Sequence, residues 1–348
     1  MTKYLVLCFL LTAITGTSVP APEWPGIAAN LIKAGLVTDG SDPAPADAAP
    51  AAAAPNATAP DVATPAEATP AEARPAEATP AVATPDQSQS CAGVSFTRNL
   101  KYGDSDQNVL DVAISDSNKT SARPVLVFVA GESFAAGATD AAGPLRDEVV
   151  CFAARHGMVG VKVNYRLAPA NPWPAGAKDV AAAISWVHEN IDLFGGSGEE
   201  IVAVGYSVGA FHVASLLAHP EFQERDSGLA AAILVSGIYR PSADASANEK
   251  SYFGADASKY NERSAFPGIL NIETPILLAW SELDPPRLVE QGKKLKELLC
   301  NSPTHCPHTA VLKNKDGLAS AFGLDASGGS LAEPTLELVR EVETRGLP

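Results

Sequence analysis

Residues 201–219 read IVAVGYSVGAFHVASLLAH. The first six are an apolar run of strand length, and the last ten run on from Gly209 without another Gly or Pro, as a buried helix requires. Between them stands Gly205-Tyr206-Ser207-Val208-Gly209, a G-x-S-x-G. In a strand-to-helix turn this tight, the glycines permit close backbone approach, and the serine is held at the C-terminal end of the strand. The helix behind Ser207 aims free N–H groups and its positive dipole end at negative charge developing beside the hydroxyl. G-x-S-x-G alone is common; its place between this strand and this helix makes Ser207 a candidate nucleophile in an elbow.

Outward from that stretch, the chain from Cys91 onward alternates strand-like and helix-like segments. Strands are expected at 94–100, 109–114, 125–130, 158–164, 201–206, 230–236, 275–280 and 309–313. Helices are expected at 145–156, 177–191, 208–219, 287–299 and 333–345. The alternation predicts an α/β fold with a mostly parallel eight-stranded sheet flanked by helices. A Ser/Asn/Asp-rich excursion at 239–267 follows the sixth strand, where insertions often build a pocket wall or cap.

The first ninety residues differ in kind. Lys3, an apolar run at 4–14 and the small residues Thr15 to Ser18 have the three-part form of a secretory signal peptide, so 1–18 is expected to direct secretion, extracellular or periplasmic. That run is shorter than the roughly 20 residues that span a bilayer, so no stable membrane insertion is expected. Residues 19–40 hold Trp24, Ile27, Leu31, Ile32 and Leu36 at the spacing of a short amphipathic helix. In 41–90, proline recurs every fifth residue from Pro50 to Pro85 within ATPAE-type repeats. Each Pro removes a donor, and Ala, Thr and Glu supply too little apolar area to offset chain entropy. The segment therefore reads as a disordered, partly polyproline linker ahead of a folded domain at 91–348. Asn56 and Asn118 lie in N-x-T sequons.

Composition narrows the function. A net charge of −15 with no compensating Lys/Arg run is repelled by phosphate backbones and anionic membranes, which argues against nucleic-acid partners. The absence of a Walker loop, dinucleotide fingerprint or metal-ligand cluster implies no cofactor and no metal. Cys8 leaves with the signal, and Cys91, Cys151, Cys300 and Cys306 remain, an even number suited to an oxidising compartment. Cys300 with Cys306 is the first pairing to expect, leaving Cys91 with Cys151, although four cysteines allow three pairings.

Beyond the elbow, several long segments occur in a familiar order: VLVFVAGESFAAG (125–137), RHGMVGVKVNYRLAPANPWPAG (155–176), ILVSGIY (233–239), SYFGADASKYNERS (251–264) and LLAWSELDPPRLVEQ (277–291). Together they resemble the α/β-hydrolase serine esterases, particularly the carboxylesterase branch near hormone-sensitive lipase and arylformamidase. The resemblance implies an α/β-hydrolase fold and a small acyl-ester or amide ligand. It implies Ser207 as acyl-forming nucleophile and Asp284, in SELDPP, as the carboxylate that orients a histidine, with Glu282 a weaker candidate. It places the oxyanion hole at the backbone N–H groups of Gly131, Glu132 and Val208.

Two departures qualify that implication. Where the family reads His-Gly-Gly, this chain reads Ala130-Gly131-Glu132, and a glutamate beside a developing alkoxide opposes the charge unless it points away. After the eighth strand the family pattern resembles L-x-G-H-x-H-x-S, whereas this chain reads LKNKDGLAS at 312–320. Lys315 and Gly317 occupy the histidine positions, Gly317 that of the general base. No histidine follows His308. His305 and His308 are expected at the N-terminal end of the last strand, across the sheet from Ser207. His156 and His219 are expected at helix ends, His188 on an exposed helix face, and His212 turned away from the elbow. Serine without a base is a poor nucleophile, and Lys315 or Asp316 would be a weak substitute. The expectation is a secreted carboxylesterase-type hydrolase with impaired catalysis. The alternative is a non-catalytic pseudoenzyme that serves as a ligand-binding or interaction module, its protein partner open.

Overall fold

The computed structural model describes residues 91–115, 122–131, 133–135, 143–223, 228–302, 305–313, 322 and 331–346. The signal-like, helix-like and proline-repeat segments at 1–90 lie outside these, as do Glu132 and the stretch holding Lys315, Asp316 and Gly317.

All eight expected strands form: β1 Val94–Lys101, β2 Val109–Ser115, β3 Arg123–Val129, β4 Val159–Val163, β5 Gly196–Tyr206, β6 Ala231–Val235, β7 Ile276–Ser281 and β8 His308–Leu312. They make one sheet in the order β1-β2-β4-β3-β5-β6-β7-β8, antiparallel from β1 through β4 and parallel from there to β8. Every residue of β3 and of β6 is buried, which is why 124–129 and 231–235 read as continuous apolar runs: a parallel strand covered on both faces has no solvent side to encode.

Helices α1 Gly143–Arg155, α2 Ala175–Asn190, α3 Val208–Ala218, α4 Ala247–Phe253, α5 Pro286–Leu299 and α6 Ala332–Gly346 complete the described fold. One face of the sheet packs on α2 and α3 through residues such as Val180, Ile184, Val213 and Leu217. The other packs on α1 and α6 through Val150, Phe152, Leu338 and Val342. The cysteines pair as first expected. Cys91–Cys151 ties the chain ahead of β1 to α1, and Cys300–Cys306 closes the connection between α5 and β8.

Two local differences from the sequence reading have physical causes. β5 begins at Gly196, five residues early, because Gly196 pairs with Arg123 while the Arg123 guanidinium donates to the Phe194 and Gly195 carbonyls. The polar GSGEE start hides that extension from any hydrophobic pattern. Helix α4, inside the 239–267 excursion, was not anticipated. Its start is a capping box, Ser246 with Glu249, a signal legible in S-A-N-E but attached to a helix of only seven residues.

Candidate active site

Ser207 sits between β5 and α3 at φ 53° and ψ −114°, a left-handed conformation that a side chain adopts only when its surroundings enforce it. They do so through backbone contact. A Cβ built on Gly205 would lie 2.5 Å from the Ala210 Cα, and one on Gly209 would lie 1.9 Å from the Val129 carbonyl oxygen. The Ser207 N–H donates to the Val235 carbonyl at 2.9 Å, pinning the turn to the end of β6. Helix α3 is buried along its entire length, so the elbow rests on a helix that is part of the core.

The end of β3 lies beside the elbow. A Cβ on Gly131 would lie 2.5 Å from the Gly209 nitrogen and 2.6 Å from the Tyr165 hydroxyl oxygen, so only glycine fits there. Tyr165 donates to the Ala130 carbonyl at 2.8 Å. The Val208 N–H, one of the expected oxyanion donors, donates to the Gly131 carbonyl at 3.2 Å. That amide has to exchange its acceptor before it can hold a developing alkoxide. The next turn of this loop is fastened to the excursion: Asn248 donates to the Ser133 hydroxyl at 3.0 Å, and the Phe134 ring stacks on Tyr252 and meets Phe253 edge-on, each at 4.9 Å between centroids.

Asp284 lies in the loop between β7 and α5. Its Oδ2 accepts from the Ser236 hydroxyl at 2.6 Å and from the Ser281 N–H at 2.8 Å. Ser236 follows Val235, the residue that receives the Ser207 amide, and it too has a left-handed φ, 51°. Two strained serines thus stand side by side at the ends of β5 and β6, one with its hydroxyl directed to Asp284. Glu282 is exposed, so of the two carboxylates only Asp284 is built into the site. Ser236, Tyr165 and Asn248 escaped the sequence reading. The available hint for Ser236 was a polar residue closing the buried run of β6.

All six histidines are among the described residues, and the side-chain contacts of five of them lie elsewhere. His156 and His188 pair with the Phe152 and Gly198 carbonyls. His219 bridges the Ser264 carbonyl and Glu221. His308 opens β8, at the strand's N-terminal end, facing Glu341 at 3.6 Å. His305 lies three residues ahead of that strand's first residue, beyond Cys306 and Pro307. His212 is sealed among Tyr165, Phe134, Phe211 and Tyr252, with its Nδ1 unpartnered, and burial pushes its pKa down to about 3, so the ring is neutral at ordinary pH. His188 differs from expectation: it is half-buried against the start of β5 rather than exposed. Among the described residues no group of three or more His, Cys, Asp or Glu could hold a metal, and no helix is long and apolar enough to cross a membrane. A groove of about 520 Å³ lined by His188, Glu199, Leu216, Gln223 and Glu273 opens at the opposite end of α2 and β5 from Ser207.

The chain resembles known proteins in sequence and in fold. A family model for the carboxylesterase family matches residues 63–261. Esterase LipQ of Mycobacterium tuberculosis is 31% identical over 212 residues, covering 57% of this chain and 48% of LipQ. Esterase LipC of the same organism is 35% identical over 119 residues, 34% of this chain and 28% of LipC. This chain therefore spans less than half the length of either relative. Among solved structures, esterase B from Lactobacillus rhamnosis superposes with a TM-score of 0.59 at 16% identity, covering 73% of this chain and 87% of that one. A truncated carbohydrate esterase from gut microbiota gives 0.57 at 15% identity, covering 72% and 96%. At these identities the structural likeness speaks to the fold alone.

Proposed function

The chain belongs to the carboxylesterase family, and on that premise we propose that it acts on small carboxylic esters or amides through an acyl-Ser207 intermediate, slowly, because Gly317 stands where the family's histidine would. The observation that carries the reading is the elbow: Ser207 at φ 53°, pinned to β6 and backed by a buried helix. Ser207 Oγ would attack the acyl carbon. The oxyanion would fall to the Val208 N–H, released from the Gly131 carbonyl, together with N–H groups of Gly131 and Glu132. Asp284, fixed by Ser236 and Ser281, would stabilise whatever cation accepts the Ser207 proton.

Impairment is supported by the histidine contacts above, since reach to the nucleophile precedes any question of basicity. A second reading, a pseudoenzyme that binds ligands without turning them over, is favoured by one observation: the Val208 N–H already donates to Gly131. Secretion is proposed from the 1–18 segment and is consistent with two cystines, which persist in oxidising compartments. The N-terminus of the exported chain, read by mass spectrometry, tests that part.

For the chemistry, hydrolysis of p-nitrophenyl acetate and butyrate by the full chain is compared with that of Ser207→Ala. Turnover that disappears in the variant supports the hydrolase; turnover that survives overturns it. Calorimetric binding without turnover favours the pseudoenzyme, and rapid phosphonylation by a fluorophosphonate counts against it.

A further inference from the structure

The groove at the far end of β5 from Ser207 is built by several separate segments, and its chemistry is one-sided. On α2, Ala181, Ile184, Ser185 and His188 share one helix face and line it. Ile184 and Leu216, each 2% exposed, and Leu229, 8% exposed, give it an apolar floor. Glu189, Glu199 and Glu273 are the exposed carboxylates of its rim, and no Lys or Arg is among the described lining residues. Two glycines keep the space clear. A Cβ on Gly198 would lie 2.4 Å from the His188 carbonyl oxygen, and Gly228, at φ 63°, holds a left-handed turn against Ile184.

His188 adds an acceptor to those carboxylates. Its Nδ1 lies 2.9 Å from the Gly198 carbonyl oxygen, which can only accept, so Nδ1 carries the hydrogen. Nε2 of the neutral ring is therefore a bare acceptor, and it faces Glu199 Oε1 across 3.8 Å. Two acceptors meet there, and Glu189 and Glu273 make no ion pair among the described residues. Nor do the three carboxylates and the imidazole converge at metal-ligand spacing. The complement to such a lining is a donor-rich cation carried on an apolar body, not a bare ion.

We propose that this groove binds a small organic cation, a primary ammonium on an aliphatic or aromatic body. The ammonium sits at His188 Nε2 and Glu199, and the body lies over Ile184, Leu216 and Leu229. A primary ammonium has three donors and no acceptor, which suits two facing acceptors with further carboxylates beside them. A volume of about 520 Å³ is within the range of small-molecule sites, and an apolar lining with a few placed polar groups is their usual composition. Along β5, Glu199 lies about 25 Å from Ser207 at roughly 3.3 Å per residue. The site is therefore separate from the serine, and the proposal stands whether or not Ser207 turns over an ester.

The test is calorimetric titration of the full chain at pH 8 and low salt. The probes are 4-phenylbutylamine, cationic at that pH, and 4-phenyl-1-butanol, which has the same body and a neutral head. The amine should bind at least tenfold more tightly: exposed ion pairs are individually weak, but here three carboxylates act on one charge. Raising the salt to about 0.5 M should erase most of that preference by screening. Glu199→Gln with Glu273→Gln should bring the two probes to within about twofold and leave the alcohol unchanged. Both side chains are exposed, so neutralising them removes no packing. Equal binding of the two probes, no binding of the amine, or a preference that survives the double substitution overturns the proposal. Ser185→Trp, which puts an indole into the groove from α2, is the second variant. It should weaken the amine at least tenfold, and unchanged binding overturns the assignment to this groove.

Discussion

The elbow and the carboxylate arm sit on neighbouring strands yet are built by opposite means. Around Ser207 the contacts are steric and made by backbone: Gly205 against Ala210, Gly209 against Val129, Gly131 against Gly209. Around Asp284 they are hydrogen bonds between side chains and a loop: Ser236 and Ser281 to Asp284, then Arg287 to Glu249. The elbow's glycines are required by packing whether or not the serine reacts. A G-x-S-x-G can therefore outlast the histidine that gives it a purpose, and its presence speaks more strongly to fold than to turnover.

Substitutions can break or sharpen that contrast. The largest effect expected is on covalent labelling: Ser207→Ala should abolish fluorophosphonate modification while leaving the thermal melt in place, because the side chain it removes supports no packing. Labelling that persisted would mean that another nucleophile is in use. Gly209→Ala should be the costliest for stability, since its Cβ would fall 1.9 Å from the Val129 oxygen and both partners are backbone within the core. A loss of about 3 kcal/mol, on the order of 10 °C in Tm, is expected from calorimetry. A silent Gly209→Ala would undo the claim that packing preserves the motif.

His212 tests the same side of the molecule through pH. Its folded pKa near 3 lies below the unfolded value of roughly 6.5, so the unfolded chain takes up a proton that the folded chain refuses. Stability should fall as pH drops from 6.5 toward 3, by about 1.4 kcal/mol per unit from this residue. His212→Phe should flatten that slope and gain about 2 kcal/mol on the wild type at pH 5 in urea melts. Parallel slopes would place the ring in water.

On the other arm, Gly317→His should raise Ser207-dependent hydrolysis of p-nitrophenyl acetate at least tenfold, or about 1.4 kcal/mol, toward the lower end of what a positioned base contributes. No gain would mean that the loop does not bring residue 317 to the serine. The smallest change expected is that of Arg287→Ala, which leaves the 3%-exposed Glu249 without its ion pair. A cost of about 1 kcal/mol is expected, discounted because the arginine is partly exposed. Burial works to raise the Glu249 carboxyl, but hydrogen bonds from Arg287 and Ser246 outweigh it and hold the pKa below the usual carboxylate range. Its contribution is therefore present above about pH 4.3 and lost as pH falls through the lower folded value. The wild-type advantage over Arg287→Ala should shrink in acid.

The strand and helix alternation from Cys91 onward was legible because buried parallel strands and amphipathic helices each leave a hydrophobic period in the chain. The places of Ser207 at the strand-to-helix turn and of Asp284 in the loop after β7 were legible because both sit in ordered segments whose neighbours are equally constrained. The short capped helix α4 was not, since seven residues carry too few turns to register a period. The Ser236–Asp284 bond was not either, because it joins residues forty-eight positions apart.

By itself, then, the sequence determined the sheet, the elbow, the acidic character and the want of a histidine after His308, since each is a property of local pattern or of composition. Only the tertiary structure decided which groups meet: that the Val208 amide turns to Gly131, that Ser236 holds one oxygen of Asp284, and that His212, five residues from Ser207, is shut in an aromatic box. Those are outcomes of packing between strands and helices distant in the chain, where shape and burial choose the partners and no spacing in the sequence records the choice.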